Sequence, residues 1–358
     1  MFIAIVAIII FLSFFILIHE LGHFGFAKKF GLFVEEFGFG LPPKIWGKKI
    51  GETLYSINAL PFGGFVKIYG ENREDNKVEN KENKSFSEKK RGFNSISIGK
   101  RAIVLAAGVF MNFLLGWFLV SVIFFIGVPY EVLITEVQPN TPASEMGLLV
   151  GDKIVALETQ SDILEEKITA SEFIGFLDKY KGQEVLLKIE RNNQIKEFKA
   201  LSRINPPEGE GALGIAIMES GLPKMNLFAC VWEGLKFSVE IIAMVFITIF
   251  KLIAQLFIGQ ANLESVAGPV GIVKLTAEVS QQGFIYLLQL LALISLNLVA
   301  INLLPFPAID GGRLLFLLIE KIKGSPLPIK FEQYANGIGF ILLLLLMAAI
   351  TVKDIIAL

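Results

Sequence analysis

Cysteine and histidine are the scarcest chemically versatile residues in this chain of 358 residues. The single cysteine, Cys230, has no second cysteine with which to form an internal disulfide. The two histidines are the only imidazole groups that a metal site or a catalytic site could use. The net charge of −1 gives no sign of the basic surface that nucleic-acid-binding proteins carry, so we expect no nucleic-acid partner.

Charged residues are also few, whereas apolar residues are in excess. Charged residues make up 19% of the chain and hydrophobic residues 53%, against about 25% and about 45–50% in soluble domains. The apolar residues are concentrated in four runs, at 2–18, 102–126, 284–304 and 338–350. Runs of this kind match the roughly 20 residues that an α-helix needs to cross a bilayer. The sequence therefore predicts a polytopic α-helical protein embedded in a lipid bilayer.

The first apolar run lacks the features of a cleaved signal peptide, because no Lys or Arg precedes it and no small-residue cleavage site follows it. By contrast, 15 Lys and Arg residues lie within 28–101, between the first two runs. The positive-inside rule assigns such a loop to the cytoplasm. We therefore expect the N-terminus to lie outside the cytoplasm.

Residues 1–126 are predicted to form an N-terminal membrane half with a β region in its cytoplasmic loop. Alternating apolar residues punctuated by glycine predict strands and tight turns near 37–40, 54–57 and 61–68. The stretch 71–84 is almost wholly Glu, Asn, Lys and Asp, which is typical of a linker.

Residues 127–205 are predicted to form a small α/β domain outside the cytoplasm. Strand-like runs at 132–134 and 185–189 flank a predicted helix near 170–180. Pro206-Pro207-Glu208-Gly209 then reads as a linker out of this domain. The remaining residues, 206–358, form the C-terminal membrane half.

The segment 235–258 is ambiguous, because its apolar residues are interrupted by a polar side. It could cross the membrane or lie in the interface as an amphipathic helix. The metal site described next requires 284–304 to run towards the cytoplasm, as the first span does. An even number of spans must then precede it, so we favour about four spans with 235–258 on the outer face.

His19-Glu20-Leu21-Gly22-His23 carries the chemistry of the chain. Its two imidazoles at i and i+4 share one helix face and can bind one Zn²⁺, at about 2.0–2.1 Å per bond. Glu20 beside them can act as the general base that takes a proton from the attacking water. The alternative, two histidines on a helix surface by chance, is weak. Both histidines of the chain fall in this pattern, directly after an apolar run in which ionisable groups are costly.

A third protein ligand has to be a carboxylate, since both histidines are used. The best candidate is Asp310, where prolines and glycines interrupt an apolar stretch, because irregular backbone at membrane depth is tolerated beside a cavity. The competing interpretation is that Asp310 caps a helix beginning at Gly311, although capping and ligation need not exclude each other. Other carboxylates remain open as ligands, namely Glu320, Glu35 and Glu36.

The pairing of HELGH in the first span with NLLPFPAIDGG in a late one resembles the site-2 protease family of zinc metalloproteases, specifically its bacterial RseP-like members. Further segments match in order. FGFG at 37–40 looks like the family's membrane re-entrant β-hairpin, and PFGGFVKI at 61–68 resembles its substrate-facing strand. GKRAIVLAAG at 99–108 resembles the start of the second span, and AGPVGI at 267–272 resembles a turn before the third.

The resemblance implies a Zn²⁺ site of His19, His23 and Asp310, with Glu20 as the general base. It also implies that Asn302, and Asn297 one turn earlier, hold the substrate backbone, and that Gly63 and Gly64 belong to the substrate-facing strand. An amide in a dry site can satisfy backbone groups that have no water. Each asparagine could equally serve as a hydrogen-bonding contact between helices.

The segment 136–157 resembles the core of a PDZ domain, with a TPA-x-x-x-GL turn followed by GD-x-I. PDZ domains bind an extended peptide by strand addition, so we expect a peptide or substrate tail to bind here. One such domain is predicted, whereas some relatives carry two. Val109 also departs from the family, which often has proline after AAG, and we expect only a local change there.

The predicted function is intramembrane proteolysis of single-span membrane proteins, such as an anti-sigma factor or remnant signal peptides, in a bacterial inner membrane. The active site would lie towards the cytoplasm and the PDZ-like domain outside it. A transporter would be expected to show internal repeats with paired broken helices, and only one broken segment is visible. A catalytically inactive scaffold would not need Glu20 beside the metal ligands.

Overall fold

The computed structural model of the protein describes residues 2–71, 91–165, 168–191, 194–207, 210–259 and 266–356. These residues divide into two compact units. The membrane unit comprises Met1–Val122 and Val231–Leu358, and the inserted unit comprises Ile123–Cys230. Apart from Glu71, the predicted linker 71–84 lies outside the described residues.

The helices and strands follow one another along the chain in the order that the hydropathy pattern suggests. The helices are α1 (Phe2–Lys29), α2 (Ile98–Ile126), α3 (Pro142–Met146), α4 (Ala170–Lys179), α5 (Leu227–Phe257), α6 (Pro269–Gln282), α7 (Phe284–Leu303), α8 (Asp310–Lys323) and α9 (Ile329–Ile356). The strands are β1 (Val34–Ile50), β2 (Thr53–Ile68), β3 (Val128–Val137), β4 (Lys153–Glu158), β5 (Ile163–Glu165), β6 (Glu184–Arg191), β7 (Gln194–Leu201) and β8 (Ile215–Leu222).

Within the part of the chain that the structure describes, five helices are long and apolar enough to cross a membrane, namely α1, α2, α5, α7 and α9. Four of them contain the apolar runs identified in the sequence, and the fifth, α5, contains the ambiguous segment 235–258. Length and composition qualify α5 as a span but do not show that it crosses. The four-span topology therefore stays a prediction, while the polytopic helical architecture agrees with the sequence.

Helix α1 continues beyond its apolar run and brings the HELGH motif into its last three turns. It ends where Gly31 adopts a φ of +74°, a left-handed conformation that favours glycine. The amide of Leu32 donates to the carbonyl of Ala27, which closes the helix end in the usual way for such a turn. Leu32 and Ala27 are then buried in a core that also contains Val104 of α2 and Leu317 of α8.

Strands β1 and β2 pair antiparallel and contain the three strand segments predicted from the sequence. Residues 36–39 of β1 are paired on one side with 64–67 and on the other with 54–57. The segment 64–68 therefore has a neighbouring strand on one side only, among the residues described. This edge strand lies next to α1, as the cavity described below shows.

The inserted unit is a sheet of strands in the order β7-β6-β4-β3-β8, with β5 paired to β4. Its core contains fully buried side chains from β3, β4, β6 and α4. The predicted strands at 132–134 and 185–189 and the predicted helix near 170–180 are all present. Each fully buried Leu or Ile of this kind contributes about 1.5–3 kcal/mol.

The inserted unit extends past its predicted boundary at residue 205. Strand β8 follows Pro206-Pro207 and pairs antiparallel with β3, near the start of the unit. Pairing between strands so distant in sequence leaves no local pattern, whereas two consecutive prolines are a clear local signal of a linker. The predicted linker therefore leads to a further strand of the unit, and its last two residues, 208 and 209, lie outside the described residues.

Helix α6 begins within the AGPVGI segment and is capped from a distant helix. Its N-cap, Gly268, has no side chain, and the Asp354 carboxylate of α9 accepts from the amides of Gly268 and Gly271 instead, at 2.9 and 2.8 Å. A Cβ on Gly271 would lie only 3.0 Å from that carboxylate oxygen. The glycines of this segment thus leave room for the cap that joins α6 to α9.

Candidate active site

Helix α1 presents the side chains of His19 and His23 on one face, one turn apart. Both residues are buried, and their ring centroids lie 4.7 Å apart. Their Nε2 atoms are 3.0 Å from each other. The i, i+4 spacing therefore directs the same nitrogen of both rings to one point, as the sequence predicted.

Asp310 joins this pair from α8. Its Oδ2 lies 2.9 Å from Nε2 of His19 and 3.4 Å from Nε2 of His23. Both are ion-pair distances, and this buried oxygen has no hydrogen-bond partner among the described residues. The ligand atoms of the three residues all lie within 4.8 Å of one another, a spacing that one metal ion could bridge.

The segment between α7 and α8 determines where Asp310 lies. Ala308 has a φ of +76°, and its amide donates to Oδ1 of Asn336 in α9, at 3.0 Å. A Cβ on Gly311 would lie 2.6 Å from the carbonyl carbon of Leu303. The start of α8 can therefore approach the end of α7 only with glycine at this position. Asp310 is the first residue of α8, and the N-cap position before it is occupied by Ile309, so Asp310 does not stand at the cap position.

The other carboxylates considered as ligands have different partners. Glu320 is buried and binds Arg101 of α2, with 2.5 Å between Oε1 and Nη2. Glu35 pairs with Lys67 at 3.1 Å, and Glu36 pairs with Lys44 at 3.5 Å. Among the described residues, only Asp310 brings a carboxylate to the two histidines.

Helix α2 packs against the histidines through a glycine whose role the sequence analysis missed. A Cβ on Gly108 would lie 2.7 Å from Nε2 of His19 and even closer to Nε2 of His23. The carbonyl of Val104, one turn earlier, accepts a hydrogen bond from Nδ1 of His23 at 2.8 Å. The spacing of four residues from Val104 to Gly108 places both on one helix face, but it does not show that this face meets α1.

Glu20 lies beside the cluster of His19, His23 and Asp310, in a cavity of about 180 Å³. The cavity is also lined by the two histidines, Asp310 and residues of the edge strand 64–68. A Cβ on Gly64 would lie 3.4 Å from Cγ of Glu20, so glycine permits the strand to approach α1 closely here. Gly63 has a φ of +89°, and its Cβ position faces open space. Of the two glycines predicted to bind substrate, Gly64 is therefore adjacent to Glu20.

The two asparagines predicted to bind substrate do not line this cavity. Asn297 and Asn302 lie in the last two turns of α7 and are partly exposed. The chain turns through 304–309 after α7, and the residues beyond this turn that line the cavity are Asp310 and Arg313 of α8. The role predicted for the two asparagines stays a prediction.

An ion pair between Arg313 and Glu71 forms part of the cavity wall. The Glu71 carboxylate holds the pKa of the Arg313 guanidinium above its usual range. Both residues also line a second cavity of about 190 Å³, together with polar residues that include Asn94, Arg101 and Glu320. The wall of the cavity beside Glu20 is thus polar on the side of α8.

Comparison with known proteins shows the family to which the chain belongs. The model of peptidase family M50 matches residues 7–346. A protein of Clostridium perfringens described as a candidate zinc metalloprotease is 36% identical over 348 residues, with 95% of each chain covered. The zinc metalloprotease RasP of Oceanobacillus iheyensis is 32% identical over 429 aligned positions, with 98% of each chain covered. The regulator of sigma-W protease RasP of Bacillus subtilis is 28% identical over 426 positions, again with 98% of each chain covered. The matches confirm the resemblance drawn from the HELGH and NLLPFPAIDGG motifs, and they show that the chain belongs to peptidase family M50.

Proposed function

We propose that this chain is an intramembrane zinc endopeptidase that hydrolyses peptide bonds within membrane-spanning segments of other proteins. The observation that carries the proposal is the convergence of His19, His23 and Asp310 beside Glu20, in a cavity bordered by an edge strand. This group lies in the last turns of a helix that is apolar enough to cross a membrane.

The donor set fits Zn²⁺. Two imidazole nitrogens and one carboxylate leave a fourth coordination position open, as catalytic zinc requires. The buried Oδ2 of Asp310, which no hydrogen bond satisfies, is an oxygen that a cation would satisfy. The ion, when bound, lowers the pKa of a water molecule and polarises the carbonyl of the scissile bond.

Glu20 provides the proton transfer that hydrolysis needs. Its carboxylate is one residue from His19 and lines the same cavity. It accepts a proton from the attacking water and delivers that proton to the nitrogen of the leaving amine. General base catalysis of this kind contributes about 10²- to 10⁴-fold to the rate.

The edge strand 64–68 is suited to hold the substrate. A membrane-spanning helix keeps its scissile amides in intrahelical hydrogen bonds, so it has to unwind locally before cleavage. The unwound segment can then pair with an edge strand by β-augmentation. Gly64 brings this strand next to Glu20, and Asn302 and Asn297 are proposed to hold the extended backbone further along.

The inserted unit is proposed to be a single PDZ-like domain that binds an extended peptide or substrate tail. Among the described residues, β8 has a neighbouring strand, β3, on one side only. Helix α4 packs beside β8, and the amide of Ala170 donates to the Glu219 carboxylate of that strand at 3.0 Å. An extended peptide could therefore add to the free edge of β8 and contact α4.

We further propose that the protein lies in a bacterial inner membrane. The positive-inside rule favours a cytoplasmic location for the loop within 28–101. The N-terminus and the inserted unit would then be outside, with the active site towards the cytoplasm. Substrates would be single-span proteins such as an anti-sigma factor, which the name of the B. subtilis relative suggests, or remnant signal peptides.

The test uses the purified full chain in detergent and a substrate with one membrane span. Cleavage and zinc content are measured for the wild type, for Glu20→Gln and for a matched control, Glu240→Gln, whose side chain is exposed on α5. We expect about one zinc in all three proteins, and cleavage by the wild type and the control only. A wild type that binds no zinc would contradict the metal site. Zinc binding without cleavage of several helix-destabilised substrates would favour a scaffold.

A further inference from the structure

Helix α2 contacts His19 and His23 through three residues that lie four positions apart along the chain. Val104, Gly108 and Asn112 therefore share one face of that helix. The first contacts His23 and the third contacts His19, so the numbering along α2 runs opposite to that along α1. The middle residue, a glycine, leaves space for both rings. One face of α2 thus contacts both proposed ligands from behind.

The contact with His23 leaves that ring ready to bind a metal. Its Nδ1 donates to the carbonyl of Val104, which can accept it in addition to its helical hydrogen bond because a carbonyl oxygen has two lone pairs. The missing side chain at Gly108 keeps this carbonyl open, since a helical residue covers the turn before its own Cα. With Nδ1 protonated, Nε2 has a free lone pair that points to the metal position.

His19 needs the same arrangement and faces a different group. Its Nδ1 lies 3.5 Å from Nδ2 of Asn112, whose residue is only 1% exposed. The Oδ1 of the same amide is buried and has no hydrogen-bond partner among the described residues. Leaving such an oxygen unsatisfied costs about 1–3 kcal/mol. Rotation of the amide by half a turn exchanges Oδ1 and Nδ2 without changing the space that the side chain fills.

We propose that Asn112 is a positioning residue for the metal ligand His19, whose Nδ1–H donates to Oδ1 of Asn112 when the metal is bound. This inference rests on the proposed zinc site. A neutral His19 that binds through Nε2 carries its proton on Nδ1 and requires an acceptor there. Asn112 is the group in contact, and the half-turn satisfies its buried oxygen. Ser295 of α7 contacts the same residue only at its main chain, since its hydroxyl donates to the carbonyl oxygen of Asn112 at 2.9 Å.

Zinc dissociation constants of the purified full chain, measured by competition with a chelator, test this role. Asn112→Leu keeps the size of the side chain but removes the acceptor, and we expect zinc affinity to fall about 10- to 100-fold. Asn112→Asp retains an acceptor and adds charge, so its affinity should equal or exceed that of the wild type. Ser295→Ala is the matched control, because it disturbs the same turn of α2 but leaves the amide, and we expect wild-type affinity.

Thermal unfolding of the metal-free proteins separates positioning from packing. If Asn112 served only in packing, both variants would be less stable than the wild type without metal, and Asn112→Asp would be the less stable of the two. Their zinc affinities would then not differ from each other. An Asn112→Leu protein with wild-type affinity, or an Asn112→Asp protein that loses zinc to the same extent as Asn112→Leu, would overturn the proposal. A wild type that binds no zinc contradicts the proposed function itself, which distinguishes the two failures.

Ring spectra from ¹⁵N-labelled histidine provide a second measurement if Asn112→Leu does not fold. The chain has only two histidines, so the spectra contain two ring systems. In the zinc-loaded wild type and in Asn112→Asp we expect a proton on Nδ1 of His19 that exchanges slowly with water. A zinc-loaded wild type in which this Nδ1 carries no proton would show that the hydrogen bond to Asn112 does not form.

Discussion

Asp152 is a buried carboxylate of the inserted unit and Asp310 a largely buried one of the membrane unit, with 13% of its side chain exposed, but their surroundings are opposite. Asp152 of the inserted unit accepts hydrogen bonds from Nε and Nη2 of Arg191, each at 2.7 Å, and from the amide of Leu149 at 2.8 Å. Its two oxygens are therefore satisfied by a bidentate pair, and the carboxylate holds the pKa of Arg191 above its usual range.

Asp310 of the membrane unit lacks such a partner. Its Oδ2 faces two imidazole nitrogens without a hydrogen bond, although Arg313 lies one helical turn away. That arginine binds Glu71 instead. The comparison indicates that a saturated buried carboxylate stabilises its unit, whereas Asp310 is kept available for a cation. Substitutions in the two places should therefore have separable effects, on stability in one unit and on metal binding in the other.

The largest effect is expected from Asp310→Asn. Removal of a residue that only hydrogen-bonds to a metal ligand lowers affinity roughly 10- to 100-fold. Loss of a ligand itself should reduce zinc affinity by more than that and should abolish cleavage. Stability of the metal-free protein should change little, because Oδ2 of Asp310 has no hydrogen-bond partner among the described residues and asparagine keeps the size of the side chain. Zinc analysis and thermal unfolding check both parts. A variant that keeps its zinc, or that is unfolded without it, would contradict the comparison.

Asp152→Ala is the counterpart in the inserted unit. It leaves the Arg191 guanidinium without its carboxylate, although the carbonyl of Gly147 still accepts from it, so we expect a cost of at most the roughly 3–5 kcal/mol that follows breaking of a fully buried ion pair. We expect faster amide hydrogen exchange in β3, β4 and β6 of the full chain, with zinc content unchanged. Asp178→Ala is the matched control, since its pair with Lys181 is exposed and should contribute less than about 1 kcal/mol. Equal effects of the two variants would show that burial does not distinguish these pairs.

The sequence predicted that His19, His23 and Asp310 come together because each of them follows a local rule. The spacing of His19 and His23 is set by the helical period, and the prolines and glycines around Asp310 mark a break near membrane depth. The roles of Gly108 and Asn112 could not be predicted in the same way. Their contacts depend on the register of α2 against α1, which no local pattern specifies.

The limits of the fold prediction have the same origin. The alternation of apolar residues was sufficient to predict β1 and β2. Strand β8 was missed because its partner β3 lies near the start of the unit, and the intervening Pro206-Pro207 resembles a boundary. Hydropathy identified the long helices but cannot decide whether α5 crosses the membrane. Asn302 was assigned a substrate role from resemblance, and the structure does not bring it to the cavity.

Gly108→Ala tests how closely α2 must approach the metal group. The new Cβ would lie 2.7 Å from Nε2 of His19, so a helix or a ring has to shift. Overpacking of this kind costs about 1–3 kcal/mol, and we expect part of that cost to appear as weaker zinc binding. Gly99→Ala on the same helix is the control, because its Cβ would meet nothing within 4 Å. The measurement is the zinc dissociation constant of each variant, and equal values would exclude a steric role for Gly108 in zinc binding.

The smallest effect is expected at Glu52, which extends the comparison to an ion cluster nearer the surface. Arg91, together with Lys28, holds the pKa of Glu52 at about 2, below its usual value of 4.5. A carboxyl group with a lowered pKa stabilises the folded state above its unfolded pKa, and this contribution is lost as the pH falls towards 2. The side chain is 34% exposed, so we expect less than about 1 kcal/mol at neutral pH. Glu52→Gln should therefore lower the melting temperature slightly at pH 7 and not at pH 2. Glu184→Gln is the control, because the pair of Glu184 with Lys199 is exposed and its atoms are 3.8 Å apart, and we expect it to leave the melting temperature unchanged at both pH values. A difference between wild type and Glu52→Gln that persists at pH 2 would assign the stabilisation to packing of the side chain rather than to its charge.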